Sequence, residues 1–369
     1  MCNAISIDDI RESNASARSL VGLVVVFVGG TGGIGESTAR ELFQRTTRPK
    51  AYIIGRSEER GRRVVEELMK LNSGGEAILL RKDISLLSNV DQVCQELKTR
   101  ESNINCLFIT AGHLTLQGRD ETAEGIDCKM SVNYYARMRF ILNLMPLLKT
   151  ASVSGELSRV ITILAAGSEG DVQLDDLDLQ HHFSLHSCLA HCVLMSDFAV
   201  EQLSQRYPGT SFSHSYPGTL KTGIASQLSG PMRLAIKVMY SVMTPWIIDL
   251  QESGERHLFQ MTSRCYPAAS GGAGVPAPPN VPPVAGMDGV PGSGGYLLDW
   301  DGTPTGDKNV LDSYRKIDMG NKVWEHTMHI FAQADARHQS SGAAGPSGAD
   351  TPHVSDPSYA SDPPGWRAA

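Results

Sequence analysis

From residue 21 onward, short apolar runs alternate with longer amphipathic stretches. The runs are Leu23–Val28, Ala51–Ile54, Ala77–Leu80, Cys106–Thr110 and Val160–Leu164, with a weaker sixth at Ser211–Tyr216 and a last one at Gly295–Asp299. Runs this short and this rich in β-branched and aliphatic residues read as buried strands. The stretches between them carry helical spacing. Ile34, Thr38 and Leu42 fall on one face of 34–45, and Val64, Val65, Leu68 and Met69 on one side of 59–71. Val90–Leu97 and Met130–Leu148 behave alike, Ser187–Tyr207 sets Leu189, Val193, Val200 and Leu203 on one face, and Lys322–Ala332 reads as a closing helix. Strands alternating with helices predict βαβ units, hence an α/β fold with a doubly wound parallel sheet.

The organisation around that body is uneven. Residues 1–20 are polar and read as a flexible lead-in to a single domain over 21–333. The apolar, Met-rich stretch 232–248, broken by Pro245, marks 229–262 as a candidate lid over a substrate cleft, with an ordinary packing helix as the other reading. Residues 267–295 are rich in Pro and Gly and read as a surface insertion without regular elements. From His338 to residue 369 the chain is Ser, Gly, Pro and Asp with few apolar residues, the composition of a disordered tail.

The junction after the first run carries the chemistry. Val28 is followed by Gly29-Gly30-Thr31-Gly32-Gly33-Ile34-Gly35 and then by a helical pattern. Strand, glycine turn and helix form the opening unit of a dinucleotide-binding fold, in which backbone N–H groups and the helix N-terminus hold a pyrophosphate. No Lys-Ser/Thr pair follows the glycines, which argues against a nucleotide triphosphate loop.

Composition narrows the classes. The 369 residues are 41% hydrophobic, enough for a large core, and the net charge of −7 argues against nucleic acid as a main partner. Seven dispersed cysteines without a Cys-x-x-Cys pair suit a reducing compartment. Asp8, Asp9 and Glu12 are wrong for a signal peptide, and no apolar run approaches the ~20 residues of a membrane helix. A cytoplasmic location is expected. His181, His182, His186, His191 and His214 lack the spacing of a zinc enzyme, so no metal is expected.

In order along residues 21 to about 225, and more weakly to about 333, the motifs resemble those of the short-chain dehydrogenase/reductase family, which implies a Rossmann-type sheet. Val28 to Gly35 resembles the family's Thr-Gly-x-x-x-Gly-Ile-Gly turn, with Val28 in place of the threonine. The resemblance implies pyrophosphate contacts at Gly29, Thr31, Gly33, Ile34 and Gly35. Asp83-Ile84 stands where the family meets the adenine. Thr110-Ala111-Gly112 resembles the Asn-Ala-Gly after the fourth strand, and Asn133 the family's catalytic asparagine. Pro217-Gly218-Thr219 resembles the segment at the nicotinamide end. Gly55-Arg56 ends the second strand where an NAD site usually carries an acid; Arg56 can bind a 2′-phosphate instead, so NADP(H) is expected.

The resemblance fails at the proton machinery. Aligned back from Pro217-Gly218, the family's tyrosine and lysine fall on Ser187 and His191, and its serine on or near Ala165; no Tyr-x-x-x-Lys occurs in 150–215. His191, able to titrate near neutral pH, is the first candidate to relay a proton, with Ser168 beside it. The segments Ala165–Gly170 and Leu189-Ala190-His191 resemble a divergent fungal branch linked to secondary metabolism. That implies an alcohol or ketone of a mid-sized apolar metabolite as substrate. The alternative is a redox-silent isomerase, cyclase or epimerase, or an NADP-gated binding protein. Family members often pair as homo-oligomers through the helices at Met130–Leu148 and Ser187–Tyr207.

Overall fold

Seven parallel strands form one sheet in the order β3-β2-β1-β4-β5-β6-β7. The computed structural model describes residues 4–113, 115–220, 248–279 and 281–343. The strands are β1 (Val24–Val28), β2 (Lys50–Gly55), β3 (Glu76–Arg81), β4 (Cys106–Ile109), β5 (Arg159–Ile163), β6 (Ser211–Ser215) and β7 (Gly295–Leu298). All seven fall on the expected runs. The order reverses between β1 and β4, which opens a crevice at the carboxyl ends of those strands.

Alternation along β1 explains the two layers. Val24, Val26 and Val28 join one core cluster and Val25 and Phe27 the other, because successive side chains leave opposite faces of a strand. On the first face lie α4 (Leu87–Arg100), α6 (Ala136–Val153), α7 (Leu185–Arg206) and α10 (Met319–Ala343). On the second lie α2 (Gly33–Arg45), α3 (Glu58–Leu71) and α8 (Leu250–Thr262). A short α5 (Cys128–Met130) leads through a π turn, Ser131–Tyr135, into α6, and α9 (Lys308–Arg315) precedes α10.

The lead-in contains a helix: α1 (Ile7–Ala15) is capped by Ser6, whose Oγ accepts from the Asp9 N–H, and buries Ile10 against α8. Arg11 pairs with Glu255 at 3.0 Å, and Asn14 Nδ2 donates to the Glu255 carbonyl at 2.8 Å. The partner helix lies some 240 residues downstream, out of reach of a local pattern.

Of the candidate lid 229–262, residues 229–247 lie outside the described residues. Its other part is α8, buried from Ser253 to Thr262, with the Ser37 hydroxyl of α2 donating to the Leu250 carbonyl at 2.7 Å. That part is fixed to the body, because an apolar helix face and a buried polar staple hold it. The segment 267–295 has no helix or strand among its described residues before β7, yet it is more than a surface insertion. Val275 and Val284 are buried, Val284 in a third core cluster with Tyr266, Tyr296 and α1. Residues 338–343 of the expected disordered tail continue α10; 344–369 lie outside the described residues.

Among the described residues no helix is long and apolar enough to cross a membrane. Part of the surface of the helices at Met130–Leu148 and Ser187–Tyr207 is covered by the chain itself. α10 packs across α7 and the π turn, with Tyr134 bonded to Thr327, Tyr135 to His326 and the Arg206 guanidinium over the Trp324 ring.

Candidate active site

The glycine turn lies at the crevice, and its glycines are required sterically. Gly29 has φ +96°, and a Cβ there would stand 2.5 Å from the Ala111 nitrogen and 2.8 Å from Thr110 Oγ1. A Cβ on Gly35 would meet the Gly29 carbonyl oxygen at 2.6 Å. Gly33, at φ +59°, starts α2, whose first-turn N–H groups have no intrahelical acceptor and are available to an anion. Thr110, standing for the family's asparagine, braces the same turn, since its hydroxyl donates to the Gly29 carbonyl at 3.2 Å. Thr31 packs over Gly55, where any Cβ would approach the threonine methyl to 2.5 Å. The end of β2 is therefore kept without a side chain, and no carboxylate is placed there.

Arg56 follows immediately and is exposed. Its side chain has no ion pair among the described residues, and neither has the exposed Arg60, whereas three other nearby arginines are paired. Arg62 pairs with Glu58 at 2.6 Å, Arg81 with the same Glu58 at 3.2 Å, and Arg63 with Glu36 at 2.9 Å. Asp83 is exposed at the next strand end, with Oδ1 accepting from the Ser85 N–H at 3.0 Å. Ile84 is buried in the core, so its backbone is the part open to an adenine.

The loop after β4 is held from α6. Asn133 lies on the π turn, where the widened helix projects the amide onto His113. Its Oδ1 accepts from the His113 N–H at 3.1 Å and its Nδ2 donates to the His113 carbonyl at 3.3 Å. Ala111 and Gly112 are thereby presented as half-buried backbone. Arg137, which no sequence motif singled out, binds both strand ends: Nη2 donates to the Ala111 carbonyl at 2.7 Å and Nη1 to the Ile163 carbonyl at 2.9 Å. It is buried without a carboxylate partner among the described residues, and desolvation lowers its pKa to about 10. An arginine within an otherwise apolar helix face was the signal available.

At the other end, Gly218 has φ +77°, and a Cβ there would collide with Ile248 at 2.2 Å and Trp300 at 3.0 Å. The Thr219 carbonyl accepts from the Ile248 N–H at 3.0 Å, so Pro217–Thr219 forms a pinned wall.

His191 does not fit the role expected of it. It is fully buried, its Nδ1 donates to the Leu177 carbonyl at 3.1 Å, and its Nε2 accepts from the Gln173 N–H at 2.9 Å. Both nitrogens are committed to backbone and burial lowers its pKa, so the ring neither protonates readily nor reaches substrate. Ser168 is exposed in the turn after β5 and is not joined to it. Leu189, which the spacing sets inward, is instead exposed, as is Leu185 one turn before.

Beneath the same turn lies a pair that no motif in the sequence announces. His214 of β6 and Asp197 of α7 are fully buried, with Nδ1 donating to Oδ1 at 2.6 Å. The His214 Nε2 accepts from the Ala165 N–H at 3.2 Å. Burial, with the Arg137 charge, lowers the His214 pKa to about 3.

Residues 23–170 match the family model described as short chain dehydrogenase. An oxidoreductase of Emericella nidulans is 42% identical over 334 residues, covering 89% of this chain and 99% of its own. The oxidoreductase andH of Emericella variicolor is 34% identical over 88% of this chain and 96% of its own. The short-chain dehydrogenase/reductase SAT2 of Stachybotrys chartarum is 26% identical over 88% of this chain and 96% of its own. Among solved structures, an uncharacterised protein from Mycobacterium paratuberculosis superposes with a TM-score of 0.56 at 15% identity. It covers 86% of this chain and 96% of that one, a likeness of fold.

Proposed function

The chain belongs to the short-chain dehydrogenase family and is an oxidoreductase, and on that premise we propose that it uses NADP(H) to interconvert an alcohol and a ketone on a mid-sized apolar metabolite. Arg56 carries the cofactor choice. Its guanidinium, without an ion pair among the described residues, follows a strand end where Gly55 stands in place of an acid. A 2′-phosphate there gains charge-assisted hydrogen bonds, and no carboxylate repels it. Gly29, Thr31, Gly33, Ile34 and Gly35 take the pyrophosphate. Asp83 and the Ile84 backbone face the adenine, and Ala111, Gly112 and Pro217–Thr219 shape the nicotinamide end. NADPH supplies the hydride when bound; Asn133 fixes the loop beneath it, and Ser168 is the exposed hydroxyl at the carboxyl edge.

The substrate class rests on exposed leucines. Leu116, Leu174, Leu185 and Leu189 stand on loops and a helix start at the carboxyl end of the sheet, and are 37% to 54% exposed. Exposed apolar side chains at that end of the sheet suit an apolar substrate. The fungal sources of the relatives support a place in fungal secondary-metabolite biosynthesis.

Calorimetric titration with NADPH and NADH tests the reading. Preference for NADPH of about tenfold or more, lost in Arg56→Ala, supports it, as one charge-assisted contact is worth about that ratio. Failure to bind either cofactor overturns it and leaves a redox-silent role.

A further inference from the structure

The buried acid Asp197 is unusual in its surroundings. Its Oδ1 accepts from His214, but Oδ2 has no donor among the described residues and no access to solvent. The group facing it from the turn after β5 is another acid, Glu169. Glu169 is itself committed: Oε1 accepts from the Gly167 N–H at 3.1 Å and Oε2 from the Asp307 N–H at 3.1 Å. From α6, the Arg137 charge acts on His214. From α9, Tyr314 places its ring edge-on to Phe198, and its hydroxyl accepts from the Val172 N–H. Asp307 turns its carboxylate onto the Asn309 and Val310 N–H groups, away from the pair.

Two ionised carboxylates cannot hydrogen-bond to each other, and a buried unpaired charge is costly. A single proton resolves both problems. We propose that Asp197 and Glu169 share one proton, held on Asp197 Oδ2, and that Glu169, Asp197 and His214 act as a chain of positioning residues for the Ala165–Gly170 turn. Each link then has a donor and an acceptor. Asp197 Oδ2–H donates to Glu169, His214 Nδ1–H donates to Asp197 Oδ1, and the Ala165 N–H donates to His214 Nε2. The turn is tied at Ala165 by His214 and at Gly167 by Glu169. It carries Ala165, where the family's serine would stand, and the exposed Ser168. Burial and the facing Glu169 both push the Asp197 pKa well above the carboxylate range, in keeping with this assignment.

The proposal does not depend on which cofactor binds, and its test uses the full chain without cofactor. Infrared spectra at neutral pH should contain the carbonyl band of a protonated carboxylic acid, absent in both Asp197→Asn and Glu169→Gln. Asn at 197 keeps a donor toward Glu169 and an acceptor toward His214, so it should melt well above Asp197→Ala. The native folded state holds a proton that the unfolded chain releases. The melting temperature of the native protein relative to Asp197→Asn should therefore fall as pH rises above the ordinary carboxylate pKa. Absence of the band in the native protein, or its persistence in Glu169→Gln, overturns the proposal. So does an Asp197→Asn protein that melts no higher than Asp197→Ala.

Discussion

Asn133 grips the backbone of His113 with both ends of its amide, accepting at 3.1 Å and donating at 3.3 Å. The π turn at Ser131–Tyr135 makes this reach attainable from α6, and the grip sets the loop that follows β4. Asn133→Ala breaks two partly buried hydrogen bonds and should cost about 1–3 kcal/mol of stability. Asn133→Asp keeps the acceptor and loses the donor, placing a carboxylate against the His113 carbonyl. It should bind NADPH less tightly than the native protein. Denaturant melts and calorimetry read the two effects separately; unchanged NADPH affinity in Asn133→Asp would remove the asparagine from the site.

Gly29→Ala places a methyl 2.5 Å from the Ala111 nitrogen, on backbone that cannot yield. At φ +96° the residue also carries conformational strain. NADPH binding should be lost, with a stability decrease of about 1–3 kcal/mol from the forced shift of β1 against β4. Gly32→Ala is the control, because its Cβ would meet nothing within 4 Å.

His191→Phe removes the acceptor for the Gln173 N–H and the donor to the Leu177 carbonyl. The expected result is a stability loss of about 2–4 kcal/mol for two stranded backbone groups. The pH dependence of NADPH binding between about pH 6 and 8, where an unperturbed imidazole titrates, should not change. A shift in that dependence would return His191 to the proton-handling role.

Three histidines, His214, His257 and His326, are held neutral by burial, with pKa values lowered to about 3, 4 and 4. A folded pKa below the unfolded value of about 6.5 stabilises the native state above the unfolded pKa. That stability is lost as pH falls through the window toward the folded pKa. Each contributes a slope of about 1.4 kcal/mol per pH unit in that window. Melting temperature should fall from about pH 7 to pH 5, within that window, and less steeply in His326→Gln, whose ring lies nearest the surface of the three. An identical acid slope in that variant would exclude His326 as a source.

α10 covers one face of α7 and the π turn, part of the helices through which family members often pair. Removing the chain from Met319 onward uncovers Tyr134 and Tyr135 at once. The truncated protein should self-associate or precipitate, as a large uncovered apolar face requires. Sedimentation of native and truncated chains checks this; a truncated chain that stays as dispersed as the native one contradicts it.

The sequence by itself determined the strands, because most of them are short apolar runs buried along their length, and such runs need no partner to be recognised. It determined the glycine turn and Arg56 for a similar reason: their chemistry lies in contiguous residues. The contacts that settle the rest join residues far apart in the chain. Arg11 of α1 meets Glu255, so a polar lead-in became a packed helix. Leu250–Thr262 packs on α2, a contact more than 200 residues apart in the chain. His191 stood out by alignment position, but its orientation is set by Gln173 and Leu177, which no spacing along α7 reveals. Asp197 and His214 are 17 residues apart on a helix and a strand, and only their packing under Ala165 makes them a pair. Local periodicity marks most of the buried apolar positions; it does not fix which buried polar groups meet, because that depends on the register between elements and on the need of each desolvated group for a partner.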